Sequence, residues 1–413
     1  MKTLVIKNGL IIDGTGSEPV NKGTIIIEGN VIKAVGTDDS IQLPDGEFDV
    51  IDAEGLTVLP GFIDCHVHLM FEKYDLESMV GTPFTYHFYQ ALDFFKKVIN
   101  AGVTTVRDAS GMDLGTKQAI DNGLVLGPRS KISVNGLSIT GGHGDSWMPS
   151  GINLNGDPYP GMPDAICDGV GEVRKKVREV LRAGAEVIKI SATGGVLSPT
   201  DRPDFTQFSP EELRVIVQEG AYHGGVKVMA HAQGLEGIRQ AVEAGIYSIE
   251  HGIYLDDDLI DLFLKKGTYL VPTLLAPVSI VESEEMKEKL PAFMFQKAVD
   301  TVDVHKESIA RAYQAGVKIA MGTDSGVMEH GQNLRELGLM CEIGMSPMEA
   351  ILATTKVAAE CLEWDDKIGT LEQGKLADIV LVKGNPLDEI SLLAENDNIK
   401  MVLKDGELVK DIR

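Results

Sequence analysis

The sequence predicts an α/β protein, a (β/α)8 TIM barrel with a small β-sandwich domain built from both chain termini. Between about residues 58 and 362, short apolar segments alternate with amphipathic helical segments. Strict alternation of strands and helices is typical of a parallel sheet. Eight strand–helix units over roughly 300 residues match a closed barrel, and a doubly wound open sheet is the alternative.

The predicted strands are short runs rich in β-branched residues, with glycine or proline at their boundaries. They lie near residues 58–65, 103–107, 131–135, 186–190, 226–231, 246–250, 269–272 and 318–322. The intervening helices are amphipathic. In the segment 169–184, for example, valines and a leucine recur at helical spacing before a closing glycine, which predicts one apolar face against the sheet.

The two ends of the chain have a different pattern, with β-rich segments and turn signals such as Asn8-Gly9 and Gly29-Asn30. Residues 1–57 and 363–413 are each too short to hold a comfortable core alone. We therefore expect them to pair into one composite β-sandwich domain beside a barrel domain of residues 58–362.

The composition limits the classes of partner. The chain has 413 residues, 43% of them apolar, and a formal net charge of −24. Such acidity argues against nucleic acid or an anionic membrane surface as a partner. The sequence has no long apolar stretch and no signal-peptide pattern, and its four cysteines are scattered. We therefore expect a cytoplasmic protein that acts on a small molecule.

The segment GFIDCHVHL, residues 61–69, ends an apolar run with two histidines one residue apart. Alternate side chains of an extended strand point to the same face, so His66 and His68 can bind one metal ion together. A lone pair of this kind can also be a polar strand end. Further ligands decide between the two interpretations.

Further candidate ligands stand at or near the ends of later predicted strands. They are Lys189 in VIKISATGG, His231 in VKVMAHAQG, His251 in YSIEHG and Asp324 in KIAMGTDSG. A single buried histidine can be a packing residue, and Asp324 alone can cap a helix. Lys189 is harder to explain otherwise, since its apolar flanks make a charged amine costly to bury. Because barrel active sites form at the carboxyl ends of the strands, we expect the whole set to meet at one rim.

With these residues, the chain resembles the amidohydrolase superfamily over essentially its whole length. The shared features are the His-x-His of strand one, the lysine of strand four, the histidines of strands five and six, the aspartate of strand eight and the split β-sandwich. The segments VRDASG, TGGHGD, SPTDRPDFTQFS, IEHG, GTDSG and GTLEQGKLADIVLV are similar to the imidazolonepropionase-related branch. That branch includes metal-dependent prolidases and Xaa-Arg or Xaa-Lys dipeptidases.

The resemblance implies two divalent metal ions. Zinc suits these ligands, with manganese, nickel or cobalt as alternatives. It also implies that Lys189 is carboxylated by carbon dioxide, a reaction open to a neutral amine, and that the carbamate bridges the ions. The more buried ion would be held by His66, His68 and Asp324, and the more exposed one by His231 and His251. A hydroxide shared by the two ions would attack the amide carbon.

Two residues are candidates for catalysis and three for substrate binding. Asp324 is the candidate general base and acid, since its carboxylate can take a proton and pass it to the leaving amine. His143 lies in the loop TGGHGD, where similar enzymes carry a histidine that donates to the scissile carbonyl of the bound substrate. Gln233 stands where similar prolidases tend to have a tyrosine that helps to hold the substrate carboxylate, and offers an amide instead. His330, after the eighth strand, could line the pocket or be a solvated loop residue.

The resemblance favours a hydrolase of carbon–nitrogen bonds, a dipeptidase or carboxypeptidase acting on Xaa-Pro, Xaa-Arg, Xaa-Lys or N-acyl amino acids. Hydrolysis of a cyclic amide, such as an imidazolone or a hydantoin, is the second hypothesis. Deamination is disfavoured because superfamily deaminases usually carry a glutamate at the position of Gly234. A noncatalytic scaffold is disfavoured because all six candidate ligands are present. We also expect a homo-oligomer, since exposed barrel helices often pair in similar enzymes.

Overall fold

The computed structural model describes residues 3–72, 80–148, 150–155, 159–198 and 201–413. These residues form a mixed α/β structure. The strands are β1 Thr3–Ile11, β2 Val20–Glu28, β3 Val31–Thr37, β4 Asp49–Asp52, β5 Leu56–Pro60, β6 Phe62–Val67, β7 Val103–Asp108, β8 Arg129–Ile132, β9 Gly136–Leu137, β10 Ile188–Ser191, β11 Val228–Ala232, β12 Ser248–His251, β13 Tyr269–Val271, β14 Ile379–Lys383, β15 Ile399–Lys404 and β16 Glu407–Asp411. The helices are α1 Phe84–Asn100, α2 Leu114–Asp121, α3 Gly169–Arg182, α4 Pro210–Tyr222, α5 Leu235–Ala244, α6 Asp257–Lys266, α7 Leu275–Glu282, α8 Glu284–Lys289, α9 Ala292–Ala315, α10 Arg335–Glu342, α11 Pro347–Ala353 and α12 Lys356–Cys361.

Two parallel sheets occupy the middle of the chain. One has the strand order β13-β12-β11-β10-β9 and the other the order β6-β7-β8. Seven of the eight predicted strand positions therefore carry strands, and helices follow them as the alternation predicted. Because the strands within each sheet run parallel, their carboxyl ends lie along one edge.

The eighth predicted strand is different. Residues 318–322 are not assigned as a strand and form an isolated parallel bridge to Leu270. On the other side, the amide of Cys65 in β6 donates to this segment at 2.9 Å. The segment thus lies between the two parallel sheets. Two residues after the segment, the backbone enters a left-handed conformation at Asp324, with φ 62°.

Both ends of the chain contribute to the third sheet. Its order is β16-β15-β14-β5-β1-β2-β3, with β4 paired to β1. The last strand of this order, β3, is joined to the segment before β14 by an antiparallel bridge between Val31 and Leu376. The predicted sandwich is therefore one sheet that bends back on itself, around a core that includes Ile25, Ile27 and Leu381.

The strand β5 connects the terminal sheet to the parallel sheets. It pairs with β14 along its length, and the chain then continues through Gly61 directly into β6. The domain limit predicted at residue 57 falls inside β5. The terminal sheet therefore contains the strand that leads into β6, where His66 lies, and on to His68.

The helix predicted at 169–184 is confirmed as α3, which buries Val173, Val177 and Val180. This face packs in the same apolar core as the parallel strands. In the part of the chain that the structure describes, no helix combines the length and the apolar character needed to cross a bilayer.

Candidate active site

One cavity of about 510 Å³ opens where the parallel strands end. Its wall contains eight of the nine site residues predicted from the sequence, namely His66, His68, His143, Lys189, His231, Gln233, His251 and Asp324. The remaining one, His330, lies outside this wall. Side chains from β6, β10, β11 and β12 thus meet at a single rim, as expected for parallel strands.

Asp324 joins His66 and His68 to the rest of the cluster. Its Oδ1 lies 3.3 Å from Nε2 of His66 and 3.3 Å from Nε2 of His68. The potential ligand atoms of His66, His251 and Asp324 all lie within 4.8 Å of one another. Two imidazoles and a carboxylate at this separation form a donor set suited to a transition-metal ion such as zinc.

Asp324, His231 and His251 are in the ionisation states that bind cations. Although burial opposes ionisation, the neighbouring imidazole of His66 and the hydrogen bonds of both His66 and His68 hold the pKa of Asp324 well below its usual range. Burial lowers the pKa of His231 and of His251 well below the ordinary value. Neutral imidazoles and an ionised carboxylate offer the lone pairs that a metal ion requires.

Each candidate imidazole is also held by its other ring nitrogen. The contacts are His66 Nδ1 to Glu250 Oε2 at 2.7 Å, His68 Nδ1 to Ser110 O at 3.1 Å, His251 Nδ1 to Thr273 Oγ1 at 2.7 Å and His231 Nε2 to Gly194 O at 3.2 Å. Contacts of this kind fix the ring orientation of metal-binding histidines. They leave Nε2 of three rings and Nδ1 of His231 for a metal ion.

Lys189 lies beside these groups on β10 and is 6% exposed. Its Nζ is 3.4 Å from Nε2 of His66. Burial lowers the pKa of the amine to about 8. Its hydrogen-bond partner among the described residues is an imidazole, and burial disfavours the ammonium form.

The charges packed against the cavity residues are predominantly negative. The carboxylates are those of Asp64, Asp108, Glu250 and Asp324. Burial raises the pKa of Asp64 and of Asp108 to about 6, so both are largely ionised at pH 7. Against these four stand the guanidinium of Arg107 and the amine of Lys189. Bound divalent cations would offset the excess negative charge.

Sequence reasoning misses the buried pair of Arg107 and Glu250. Their side chains are 2% and 0% exposed, and Nη2 of Arg107 donates to Oε1 of Glu250 at 2.9 Å. Ser248 Oγ donates to the same oxygen at 2.7 Å, and Nε of Arg107 donates to the carbonyl of Cys65 at 2.7 Å. Each of the two lies within an apolar strand, Arg107 in VTTVRD and Glu250 in YSIEHG. A charged residue in such a strand is the sequence signal that indicates a buried ion pair.

The backbone has positive φ at three residues of the cluster. The φ angles of His251, Thr273 and Asp324 are 72°, 52° and 62°. Residues other than glycine rarely adopt positive φ, and such residues tend to cluster at functional sites. Two candidate ligands and the residue that orients one of them therefore have strained backbones.

His143 lies in the loop between β9 and α3. Its ring stacks on that of His231, with centroids 3.9 Å apart and planes inclined by 15°. Its Nδ1 is 3.1 Å from Ser198 Oγ, and burial lowers the pKa of His143 to about 4. Contact with a candidate ligand places it next to any substrate bound at the cluster.

Gln233 follows β11 and is 6% exposed. Its backbone amide donates to Thr193 Oγ1 at 2.9 Å. Its side-chain Oε1 is buried and has no hydrogen-bond partner among the described residues. An unpaired buried polar atom is costly, so a polar group of a bound ligand is a suitable partner.

His330 has a different position from the one considered in the sequence analysis. It is buried, and both ring nitrogens have partners, Ser325 Oγ at 2.9 Å and the carbonyl of Phe71 at 2.8 Å. Its ring also packs on Phe94, with centroids 5.0 Å apart. The side chain therefore joins two loops and leaves no ring nitrogen for a substrate.

Much of the remaining cavity wall is apolar. It includes Phe71, Val196, Leu197, Ile253, Ile280 and Val327. Among the described residues of the wall, Lys189 is the one lysine or arginine. The carboxylates among these residues are those of Asp324 and Glu72, and Glu72 pairs with Lys97 at 3.1 Å.

Position 234 has no room for a side chain. A Cβ atom on Gly234 would lie 2.4 Å from the carbonyl oxygen of Pro203. The glutamate of similar deaminases would require the backbone to move here.

The chain matches the model of the amidohydrolase family over residues 57–409. It is 35% identical to an ochratoxinase from Aspergillus niger over 424 aligned residues, which cover 99% of this chain and 87% of that protein.

Two solved structures are similar over the whole length. A prolidase complexed with N-methylphosphonate-L-proline is 34% identical with a TM-score of 0.91, and the match covers 100% of both chains. A Xaa-Pro dipeptidase with methionine bound in its active site is 34% identical with a TM-score of 0.89. That match covers 99% of this chain and 100% of the other.

Proposed function

We propose, because the chain belongs to the amidohydrolase family and is a hydrolase acting on carbon–nitrogen bonds, that it cleaves the amide bond of a dipeptide or an N-acyl amino acid. Family membership confirms the resemblance found in the sequence. The observation that carries the proposal is the convergence of six candidate ligands, from widely separated segments, on one cavity.

The proposed cofactor is a pair of divalent cations. One would be held by His66, His68 and Asp324 and the other by His231 and His251, with a carboxylated Lys189 between them. The neutral imidazoles and the excess of buried carboxylates support this assignment. Carboxylation of Lys189 would replace a poorly placed ammonium with an anion. Bound cations would lower the pKa of a water molecule and polarise the scissile carbonyl.

The protein's own groups would orient the substrate and move the proton. The carboxylate of Asp324 is ionised, so it can accept a proton from the attacking water and return it to the leaving nitrogen. His143 and Gln233 have polar atoms at the cavity that suit the polar groups of a substrate. The apolar wall would exclude other water from the reacting groups.

The cavity suits a substrate with an apolar side chain better than one with an arginine or a lysine side chain. Its wall is largely apolar, and the carboxylate of Glu72 is already paired with Lys97. The names of the relatives agree with this preference, since a prolidase and a Xaa-Pro dipeptidase act next to an apolar proline. We therefore place Xaa-Pro dipeptides and N-acyl derivatives of apolar amino acids first.

The test is a hydrolysis screen of the zinc-loaded protein. Substrates are Xaa-Pro dipeptides, N-acyl amino acids, Xaa-Arg and Xaa-Lys dipeptides, and cyclic imidazolones and hydantoins, with release of the free amino acid or opening of the ring as readout. We expect turnover in the first two classes. Turnover confined to cyclic amides would overturn the proposal. An Asp324→Asn protein from the same purification is the control, because activity that persists in it indicates a contaminating peptidase.

We also propose that residues 318–322 complete a closed barrel with the two parallel sheets. The bridge to β13 and the hydrogen bond from β6 support this closure, as does the family. On this view residues 58–362 form the barrel domain, and residues 1–57 and 363–413 form the composite β-rich domain.

A further inference from the structure

The motif SPTDRPDFTQFS, residues 198–209, has no part in the function proposed above. With residues 192–197 it makes up the connection between β10 and α4, which we call the β10–α4 loop. The structure describes this loop at residues 192–198 and 201–209. An antiparallel bridge between Thr193 and Thr206 closes its base. Val196 and Leu197, which follow this bridge, belong to the cavity wall. The loop therefore forms part of the surface that a substrate would contact.

The amine of Lys297, on helix α9, is bonded to the backbone of this loop. Its Nζ donates to the carbonyl oxygens of Gly195 at 2.8 Å, Ser198 at 3.0 Å and Asp201 at 3.2 Å. An ammonium group has three hydrogens and no lone pair, so three carbonyl oxygens match it fully. The ring of Phe293, one turn earlier in α9, lies 5.8 Å from the same nitrogen, which is within the range of a cation–π contact.

The charge of Lys297 stabilises this conformation of the loop. The three carbonyl oxygens point at one position, so their partial negative charges repel one another unless a cation lies between them. None of the three carbonyl groups belongs to a helix or a strand, so regular backbone hydrogen bonding does not fix their direction. The lysine side chain thus takes the place of a bound cation inside the loop.

Apolar packing joins the same helix to the same loop. Val196 is buried in one apolar cluster with Met294 and Ala298 of α9, and Leu197 packs against that cluster. Met294 and Ala298 lie three residues before and one residue after Lys297. The cluster and the residues packed on it include three more members of the cavity wall, Ile253, Ile280 and Val327. A large part of the apolar wall is therefore attached to α9, by packing and by the ammonium group.

We infer that Lys297 is a positioning residue, whose ammonium group holds the β10–α4 loop so that Val196 and Leu197 face the apolar side chain of the substrate. Lys297 is not among the residues of the cavity wall, so it acts through the loop. The part of the inference that concerns the substrate rests on the proposed function, whereas the position of the loop does not.

The first test measures the loop without any substrate. Hydrogen–deuterium exchange with mass spectrometry follows its amides, which include those of Gly195, bonded to Asp201 at 3.1 Å, and Gly194, bonded to the carbonyl of Phe205 at 2.9 Å. In Lys297→Met, which keeps a long apolar side chain without the charge, we expect these amides to exchange about 10-fold faster or more, with the parallel strands unchanged. Wild-type exchange in the loop of this variant would overturn the inference.

The second test replaces the ammonium group from solution. Lys297→Ala leaves space beside the three carbonyl oxygens, and ethylammonium chloride at tens of millimolar supplies a small cation with three N–H groups. We expect this salt to restore slow exchange in the loop. Tetramethylammonium chloride has the same charge but no N–H group, and it should not restore slow exchange. Exchange that stays fast at every ethylammonium concentration would contradict the role of the charge.

Lys306→Met is the matched control for both variants. Lys306 lies on the same helix and pairs with Glu342 at 2.7 Å, away from the loop. Its loop amides should exchange as in the wild type, with or without ethylammonium. Faster exchange of the loop in this control would show that any lost charge on α9 loosens it, and would overturn the specific role of Lys297.

The third test concerns the substrate. We expect Lys297→Met to raise KM for N-acetyl-L-leucine by about 10-fold and to leave kcat within about twofold of wild type. KM for N-acetylglycine should change much less, because glycine has no side chain to contact the wall. An equal rise in KM for both compounds would overturn the assignment of the side-chain wall. If the wild type hydrolyses neither compound, the proposed function fails, and the two exchange experiments still decide the position of the loop.

Discussion

Arg107 and Glu250 form an ion pair of 2.9 Å that is closed to solvent directly behind His66. Arg107 is contributed by β7 and Glu250 by β12, so the pair spans both parallel sheets. The oxygen of Glu250 that does not contact Arg107 lies 2.7 Å from Nδ1 of His66. The pair thus connects the packing of the sheets to the orientation of a candidate metal ligand.

Replacing Arg107 with methionine leaves Glu250 buried without its counter-charge. We expect the free energy of unfolding to fall by about 3–5 kcal/mol. Zinc binding should also weaken by about 10- to 100-fold, because the acceptor that orients His66 is disturbed. Urea unfolding and zinc titration measure the two effects. The control is Lys33→Met, which breaks a half-exposed pair with Glu28 at 3.4 Å and should cost under about 0.5 kcal/mol. Equal losses of unfolding free energy in the two variants would show that burial of the Arg107–Glu250 pair does not determine its contribution.

Lys189→Ala tests the bridging carbamate. Without a group between the two cation sites, we expect bound zinc to fall from about two ions per chain to one or fewer, and turnover to fall by at least about 1,000-fold. Elemental analysis and a hydrolysis assay give the two values. Lys189→Glu, which restores an anion at this position, should recover part of the metal content. Full metal content and near wild-type turnover in Lys189→Ala would rule out the bridge.

Removing the metal should destabilise the fold itself. The carboxylates of Asp64, Asp108, Glu250 and Asp324, which lie beside the cavity residues, would then have no bound cations to offset their charge. We expect dialysis against EDTA to lower Tm and added zinc to restore it, by the amount that ligand linkage predicts. The shift should be smaller in Asp324→Asn, which has one carboxylate fewer. A Tm that stays constant while elemental analysis shows complete loss of metal would contradict this charge balance.

Glu219 should make a pH-dependent contribution to stability. It joins α4 to α3 by accepting from Nε and Nη2 of Arg178 at 2.8 and 3.0 Å. These hydrogen bonds hold the pKa of Glu219 below its ordinary value of 4.5. The pair therefore stabilises the fold fully above that value, and the contribution is lost as pH falls through the lower folded-state pKa.

We expect Glu219→Gln to lower the free energy of unfolding by about 1–2 kcal/mol at pH 7 and by less at pH 4. Urea unfolding at the two pH values measures the difference. Glu211→Gln, at an exposed side chain 3.8 Å from Arg214, provides the control with little effect at either pH. A penalty that is the same at both pH values would exclude an ionic origin.

The sequence was sufficient to find the candidate ligands, because each stands at or just after the end of an apolar segment. His66 lies on β6 of one parallel sheet, and Lys189, His231 and His251 lie on β10, β11 and β12 of the other. Parallel strands bring such positions to one edge. The alternation of apolar segments and helices predicted this arrangement without any knowledge of contacts.

The supporting residues could not be found in the same way. The roles of Arg107 and Glu250 depend on the partner of each polar atom, which residue type and spacing do not determine. The segment 318–322 looks like a strand by composition, but it forms a single isolated bridge to Leu270 and is not assigned as a strand. His330 is polar and follows the same segment, yet both of its ring nitrogens are used to hold loops together.

The pairing of β5 with β14 has a consequence for how the protein is made. Thr57 Oγ1 donates to the carbonyl of Gly384, 327 positions further along the chain. During translation, the edge of β5 that pairs with β14 must stay open until β14, Ile379–Lys383, has left the ribosome, and such edges invite aggregation. Nascent chains that stop before residue 379 would lack the neighbour of the strand that leads to His66. The strand β14 is thus needed to secure a strand that is synthesised long before it.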